Sequence, residues 1–292
     1  MTGTLSNGII SLILFGVSYS LIVPLLLCAI FKKRFKAHIK PFLVGLITYG
    51  ALSFCVVNII NGLLLRFVDS TGFSVPMVFI YSLFTQIIGV LIGQAGKYYT
   101  LRVLKNDPNP DKYALRGDAL EFGAGYAGLE LFMTVGITMA SYFSYAAILN
   151  NGQAQQFIDS MTGIDRQNVE AIFTSLLSSS FSDFLCVILQ GLGMFIFQIG
   201  ASLLVFRSVF GTKESDKVYL RLAIIFHVIM IVPGCIVSAG LITTPWFETI
   251  IMVIFGAAVL YYGFDKIKEY EKNRVDDMIK ASKSKKKNKK GR

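Results

Sequence analysis

Long apolar runs set the rhythm of this chain, and seven of them could each cross a hydrocarbon core about 30 Å thick as a helix. Their approximate limits are 9 to 31, 41 to 65, 76 to 96, 118 to 149, 184 to 207, 218 to 242 and 245 to 264. No Lys or Arg precedes the first run, and it is longer than a signal-peptide core of roughly 7 to 15 residues, so it reads as a retained span. The pattern predicts an all-α fold, a polytopic membrane helix bundle. Residues 1–264 would form the transmembrane domain and 265–292 a basic tail. A different period appears in the hydrophilic segment 150–183. There Val169, Ile172, Phe173, Leu176 and Leu177 recur at the spacing of an amphipathic helix. That helix would lie on the outer face, either packing the ends of neighbouring spans or forming a lid over a cavity.

Charge gives the bundle a direction. Lys32, Lys33, Arg34, Lys36 and Lys40 fall on one side, with Lys97, Arg102, Lys105, Lys112, Arg116, Arg207, Lys213, Lys217, Arg221 and the tail. Arg66 and Arg166 fall on the other. Cytoplasmic loops collect Lys and Arg, so the expectation is an external N-terminus, a cytoplasmic C-terminus and a multi-pass protein of the cell (plasma) membrane. The tail ends in KASKSKKKNKKGR and reads as disordered. Its expected partners are the lipid bilayer and anionic lipid headgroups, at about 1 kcal/mol per basic residue near the surface, with no nucleic acid expected.

Composition narrows the chemistry. Cys28, Cys55, Cys186 and Cys235 lie singly in apolar runs and read as small hydrophobes. His38 and His227 are the only histidines, which excludes any site needing several imidazoles. The glycine-rich GAGYAGLE lies inside a span, not between a strand and a helix, so it is no phosphate loop. The serines at 178 to 180 and Ser182 have no external His to activate them.

Polar side chains inside the spans stand out against this background. Glu130 follows Gly123, Ala124, Gly125, Ala127 and Gly128 in the fourth span, a stretch suited to close backbone approach. An acid at mid-bilayer costs roughly 2.5 to 3.5 kcal/mol, so Glu130 should face a partner, a cavity or a substrate. Asp118 and Glu121 would sit near the headgroups, where a charge is inexpensive. Gln190 and Gln198 share one face of the fifth span, and His227 lies in the sixth. Counted at 1.5 Å per residue, Gln198 and His227 lie on the order of 15 Å deep, comparable to Glu130. A three-helix polar cluster follows. His38, in a basic loop, reads as surface.

From about Gly93 to the end of the seventh span, the chain resembles the YhfC family of bacterial membrane proteins, intramembrane peptidases related to CAAX-protease and bacteriocin-processing enzymes. In that family a helix end with paired glutamates and a Gly-Arg leads into a G-x-G-H-G-G-x-E helix. Here the order reads GQAGKYY at 93 to 99 and GAGYAGLE at 123 to 130. A family Glu-Arg and a His eight residues after its Glu correspond to Gln190, Gly191 and Gln198; a later His corresponds to His227, and a glutamate near the start of the last span to Glu248.

The departures are chemical. Gly93 and Gln94 stand for the two glutamates, Lys97 for an arginine, Tyr126 for a histidine, and Gln190 and Gln198 for a glutamate and a histidine. An amide keeps a hydrogen-bond network but neither titrates near pH 7 nor activates water. The resemblance therefore implies a catalytically reduced relative that binds a hydrophobic peptide, lipid or membrane protein. The alternatives are an active intramembrane protease using Glu130 and His227, with Gln94, Lys97, Tyr126, Gln190 and Gln198 lining its site, and a small-solute or proton transporter. Neither a cofactor nor a metal is expected, since a catalytic zinc normally takes three protein ligands and one Glu with one His supplies two.

Overall fold

A computed structural model describes residues 3–68, 72–108, 112–113 and 115–290, with side chains left undescribed at 65, 67 and 277–290. Among the described residues seven helical segments are long and apolar enough to cross a membrane: Asn7–Phe35, Ile39–Leu64, Val75–Lys105, Arg116–Asn150, Phe181–Phe210, Glu214–Ser238 and Pro245–Asp276. They coincide with the seven apolar runs, and the described residues contain no strand. The protein is a multi-pass membrane helix bundle.

In chain order the first span is α1 (Asn7–Phe35). The second is α2 (Ile39–Thr48), a π-helical stretch Tyr49–Val56 and α3 (Val57–Phe67). The third is α4 (Val75–Lys105), and the fourth is α5 (Arg116–Leu131), a π-helical turn Phe132–Gly136 and α6 (Ile137–Asn150). Two short helices follow, α7 (Ala154–Asp159) and α8 (Gly163–Ser178). The last spans are α9 (Phe181–Phe210), α10 (Val218–Ser238) and α11 (Pro245–Lys290).

α9 is the axis of the bundle. It is apolar nearly all round, and its residues from Phe197 to Phe210 are all buried. A helix with that pattern belongs in the middle of a membrane protein. Because lipid tails are as apolar as Leu, helices there associate through close packing, and small residues permit it. Gly193 and Gly200 on α9 face Gly256 and Gly263 on α11. A Cβ on Gly200 would lie 2.6 Å from the Leu260 backbone, and one on Gly263 2.6 Å from the Gly200 carbonyl oxygen. Both pairs are seven residues apart, so two helical turns of each partner interlock.

The glycine-rich part of α5 packs on three sides. A Cβ on Gly125 would collide with the Phe42 carbonyl of α2, one on Gly123 would stand 3.2 Å from Ile199 Cα of α9, and one on Gly128 2.6 Å from Pro24 of α1. Helix contact therefore accounts for these small residues.

Segment 150–183 folds as the amphipathic pattern predicts. Val169, Phe173 and Leu176 of α8 are buried. The Phe173 ring meets Tyr145 of α6 at 5.6 Å and Phe157 of α7 at 6.2 Å between centroids. Packing is its visible role, since none of its residues lines the polar cavity described below.

Two expectations change. Asp118 and Glu121, placed in the interface by counting along the helix, are both fully buried. The turn at Lys36 (φ 53°) folds the α1–α2 loop back over the start of α5. There Asp118 Oδ1 accepts from the His38 backbone N–H at 2.9 Å and contacts His38 Nδ1 at 2.9 Å. His38 stays at the surface, its side chain 42% exposed, but it is tethered there to Asp118; its ring also meets Tyr113 edge-on at 5.4 Å. The tail backbone is not disordered either. α11 runs unbroken past 264 to Lys290. The lysine side chains of KASKSKKKNKKGR, and with them the expected headgroup contact, lie outside the described residues.

Candidate functional site

Glu130 sits at the last turn of α5, just before the π-helical turn Phe132–Gly136. Across from it lies the other π-helical stretch, Tyr49–Val56, carrying Tyr49 and Ser53. Single π turns inside α-helices often mark functional sites, because the extra residue per turn re-aims side chains. Here Tyr49 and Ser53 of one π-helical stretch line a polar cavity of about 210 Å³, and the other turn begins two residues after its Glu130. Glu130, Gln198 and His227 line it with Tyr49, Ser53, Asn61, Thr85, Gln86 and Tyr126.

The three residues predicted to share one level do meet. Gln198 Nε2 donates to Glu130 Oε1 at 3.2 Å and lies 3.5 Å from His227 Nε2. The other face of Gln198 turns away from the cavity, where its Oε1 accepts from Lys97 Nζ at 2.5 Å. Lys97 is wholly buried. Its ammonium lies 4.0 Å from the centroid of the Tyr126 ring, in cation–π geometry.

One amide thus joins a buried cation to a buried carboxylate. Charges this deep persist only where an opposite charge and hydrogen bonds compensate for lost water. Lys97 and Glu130 make no direct ion pair; Gln198 spans them, oxygen toward the ammonium and nitrogen toward the carboxylate.

The remaining predicted residues divide. Gln94 is fully buried behind the cavity, its amide Nε2 2.9 Å from His227 Nδ1. With Gln94 Nε2 donating to Nδ1, the neutral imidazole carries its proton on Nε2, and Gln94 Oε1 has no hydrogen-bond partner. Tyr126 holds its hydroxyl 2.6 Å from Ser53 Oγ and its ring edge-on to Tyr49 at 5.3 Å. Gln190 stands apart. Its Nε2 lies 3.4 Å from Glu248 Oε2 and 3.5 Å from the Pro245 carbonyl. Eight residues along α9 amount to about 12 Å, so a shared face does not make a shared site.

Sequence reasoning passed over Ser53, Asn61 and Gln86. Each is a polar residue in an otherwise apolar span, which is a sufficient signal. Two acceptors at the cavity have no hydrogen-bond partner: Asn61 Oδ1 and Glu130 Oε2.

The donor set argues against a zinc centre here. Glu130 and His227 are zinc ligands, but the amide between them has committed its ligating oxygen to Lys97. A dication would also meet the Lys97 ammonium. Among the described residues no group of three His, Cys, Asp or Glu could hold a metal ion.

Comparison with known proteins is informative at this point. A family model described as YhfC intramembrane metalloprotease matches residues 19–252. The uncharacterized membrane protein YhfC of Bacillus subtilis (strain 168) is 23% identical over 241 residues, covering 82% of this chain and 90% of that one. No solved structure matches.

Proposed function

The chain belongs to the YhfC family, and on that premise we propose that it uses the family's bundle to hold a membrane-embedded peptide segment, without hydrolysing it through a metal. The observation that carries this reading is the Lys97–Gln198–Glu130 bridge, which spends the coordinating oxygen of Gln198 on a cation. Metal-assisted hydrolysis needs an open coordination position and a ligand set to fix it. The bridge offers a fixed dipole and a partly free carboxylate.

The cavity's unpaired atoms indicate the ligand's chemistry. Asn61 Oδ1 and Glu130 Oε2 both accept, so a suitable ligand brings donors. An unwound peptide backbone does so through its N–H groups. The route in lies beside α3, which buries none of its described residues and packs only on α4 and the π-helical stretch that precedes it. A hydrophobic segment could reach Glu130 laterally from lipid.

The test is photo-crosslinking from Val57, which lines the cavity, in the full chain expressed in membranes. Peptide-mass adducts lost in Glu130→Leu, with no Glu130-dependent cleavage of the captured segment, are expected. Cleavage that requires Glu130 and stops on chelation would overturn the reading in favour of proteolysis. Solute or proton flux in liposomes that Glu130→Gln and His227→Ala both change would overturn it in favour of transport.

A further inference from the structure

A second concave surface lies apart from the polar cavity, a groove of about 780 Å³ on another flank of α9. Its origin is a gap in the packing: among the described residues no Cα of α1 comes within 8 Å of a Cα of α11, and each helix rests on α9 and α5. The floor is Leu120, Phe195, Ile196 and Ile199. Leu27, Ile30 and Phe31 form one wall, and Ala257, Leu260 and Phe264 the other.

One end of this apolar groove is cationic. Arg34 from the end of α1, Arg116 from the start of α5 and Lys268 from α11 close it together. Arg116 is partly engaged, since Glu271 accepts from its backbone N–H at 2.9 Å and lies 3.5 Å from its Nε. The Nε itself is buried and makes no hydrogen bond. Arg34 and Lys268 have no acidic partner among the described residues. Each instead lies near an aromatic ring, Phe35 at 6.0 Å and Phe264 at 4.7 Å.

The dimensions fit one leaflet. From Arg34 back to Leu27 is seven residues, about 10 Å of helix, and from Lys268 back to Ala257 is eleven, about 16 Å. Half of a hydrocarbon core is about 15 Å. The groove therefore begins at the level of lipid phosphates and ends near the bilayer midplane.

We infer that this groove binds one anionic diacyl phospholipid, its acyl chains along α9 and its phosphate between Arg34, Arg116 and Lys268. A second copy of the chain fits less well, because the three cations would need an acidic counterpart and the α1 and α11 ends offer more lysine. The site is independent of the polar cavity and of the basic tail beyond residue 276.

Native mass spectrometry of the full chain, delipidated and then titrated with phosphatidylglycerol or phosphatidylcholine, tests it. One phosphatidylglycerol per chain is expected, retained about ten-fold or more over phosphatidylcholine. Arg34→Gln with Lys268→Gln should abolish that preference, and Ala257→Phe, which fills the groove without touching charge, should lower retention of the lipid. Substituting the lysines at 283, 285, 286 and 287 by Gln should leave the stoichiometric lipid in place. Equal retention of the two lipids, a preference that survives the double variant, a preference that follows the tail lysines, or a dimer replacing the lipid-bound monomer would each overturn the inference. Circular dichroism and a monodisperse elution profile separate loss of the site from loss of the fold.

Discussion

The two flanks of α9 are built from similar apolar residues and packed in opposite ways. On the α11 and α5 flank, glycines let backbones meet: Gly193 and Gly200 face Gly256 and Gly263, and Gly123 of α5 faces Ile199. On the α4 flank α3 buries no described side chain, and polar groups surround a cavity in place of a seam. Hydrophobicity alone does not distinguish the flanks, since in lipid it drives no helix toward another. Small residues mark where helices close on α9, and on the α4 flank intramembrane polar residues line the gap.

The sharpest way to break this contrast is at the bridge that holds the open flank. Lys97→Met should leave Glu130 buried without its compensating cation and cost about 3 kcal/mol or more, the range for an uncompensated buried charge. Adding Glu130→Gln should recover much of that loss. Thermal stability of the purified single and double variants checks the coupling, and additive losses would show that Gln198 does not join the two.

Next in size is the seam. Gly200→Leu should drive a side chain into the Leu260 backbone and cost roughly 1 to 3 kcal/mol, as overpacking does. Loss of the folded fraction on size exclusion measures it; a stability unchanged from wild type would mean that the seam is loose. The smallest effect belongs to α3. Leu63 is 49% exposed, so Leu63→Ala should change stability by about 0.5 kcal/mol or less. A loss comparable to that of Gly200→Leu would erase the distinction between the flanks.

How much of this was legible beforehand varies by residue. The spans were, because a bilayer demands long apolar helices. The meeting of Glu130, Gln198 and His227 was legible too, because depth can be counted along a helix and equal depth is a strong constraint in a narrow bundle. Depth says nothing about azimuth or about what folds over a helix end. Gln190 therefore shares a face with Gln198 but bonds Glu248, and Asp118 and Glu121 are covered by a loop that returns from α1. Lys97 is the least foreseeable. A lysine near a helix end usually snorkels to the interface, yet here it turns inward to Gln198 and the Tyr126 ring.

The central claim is that Lys97 and Gln198 hold the place a metal ligand set would need, so that this member of the YhfC family binds without metal chemistry. Elemental analysis of the full chain, purified without chelator and equilibrated with zinc, tests it most directly. The expected result is no zinc above the level of the His227→Ala variant. One zinc per chain, lost in both Glu130→Gln and His227→Ala, would contradict the claim.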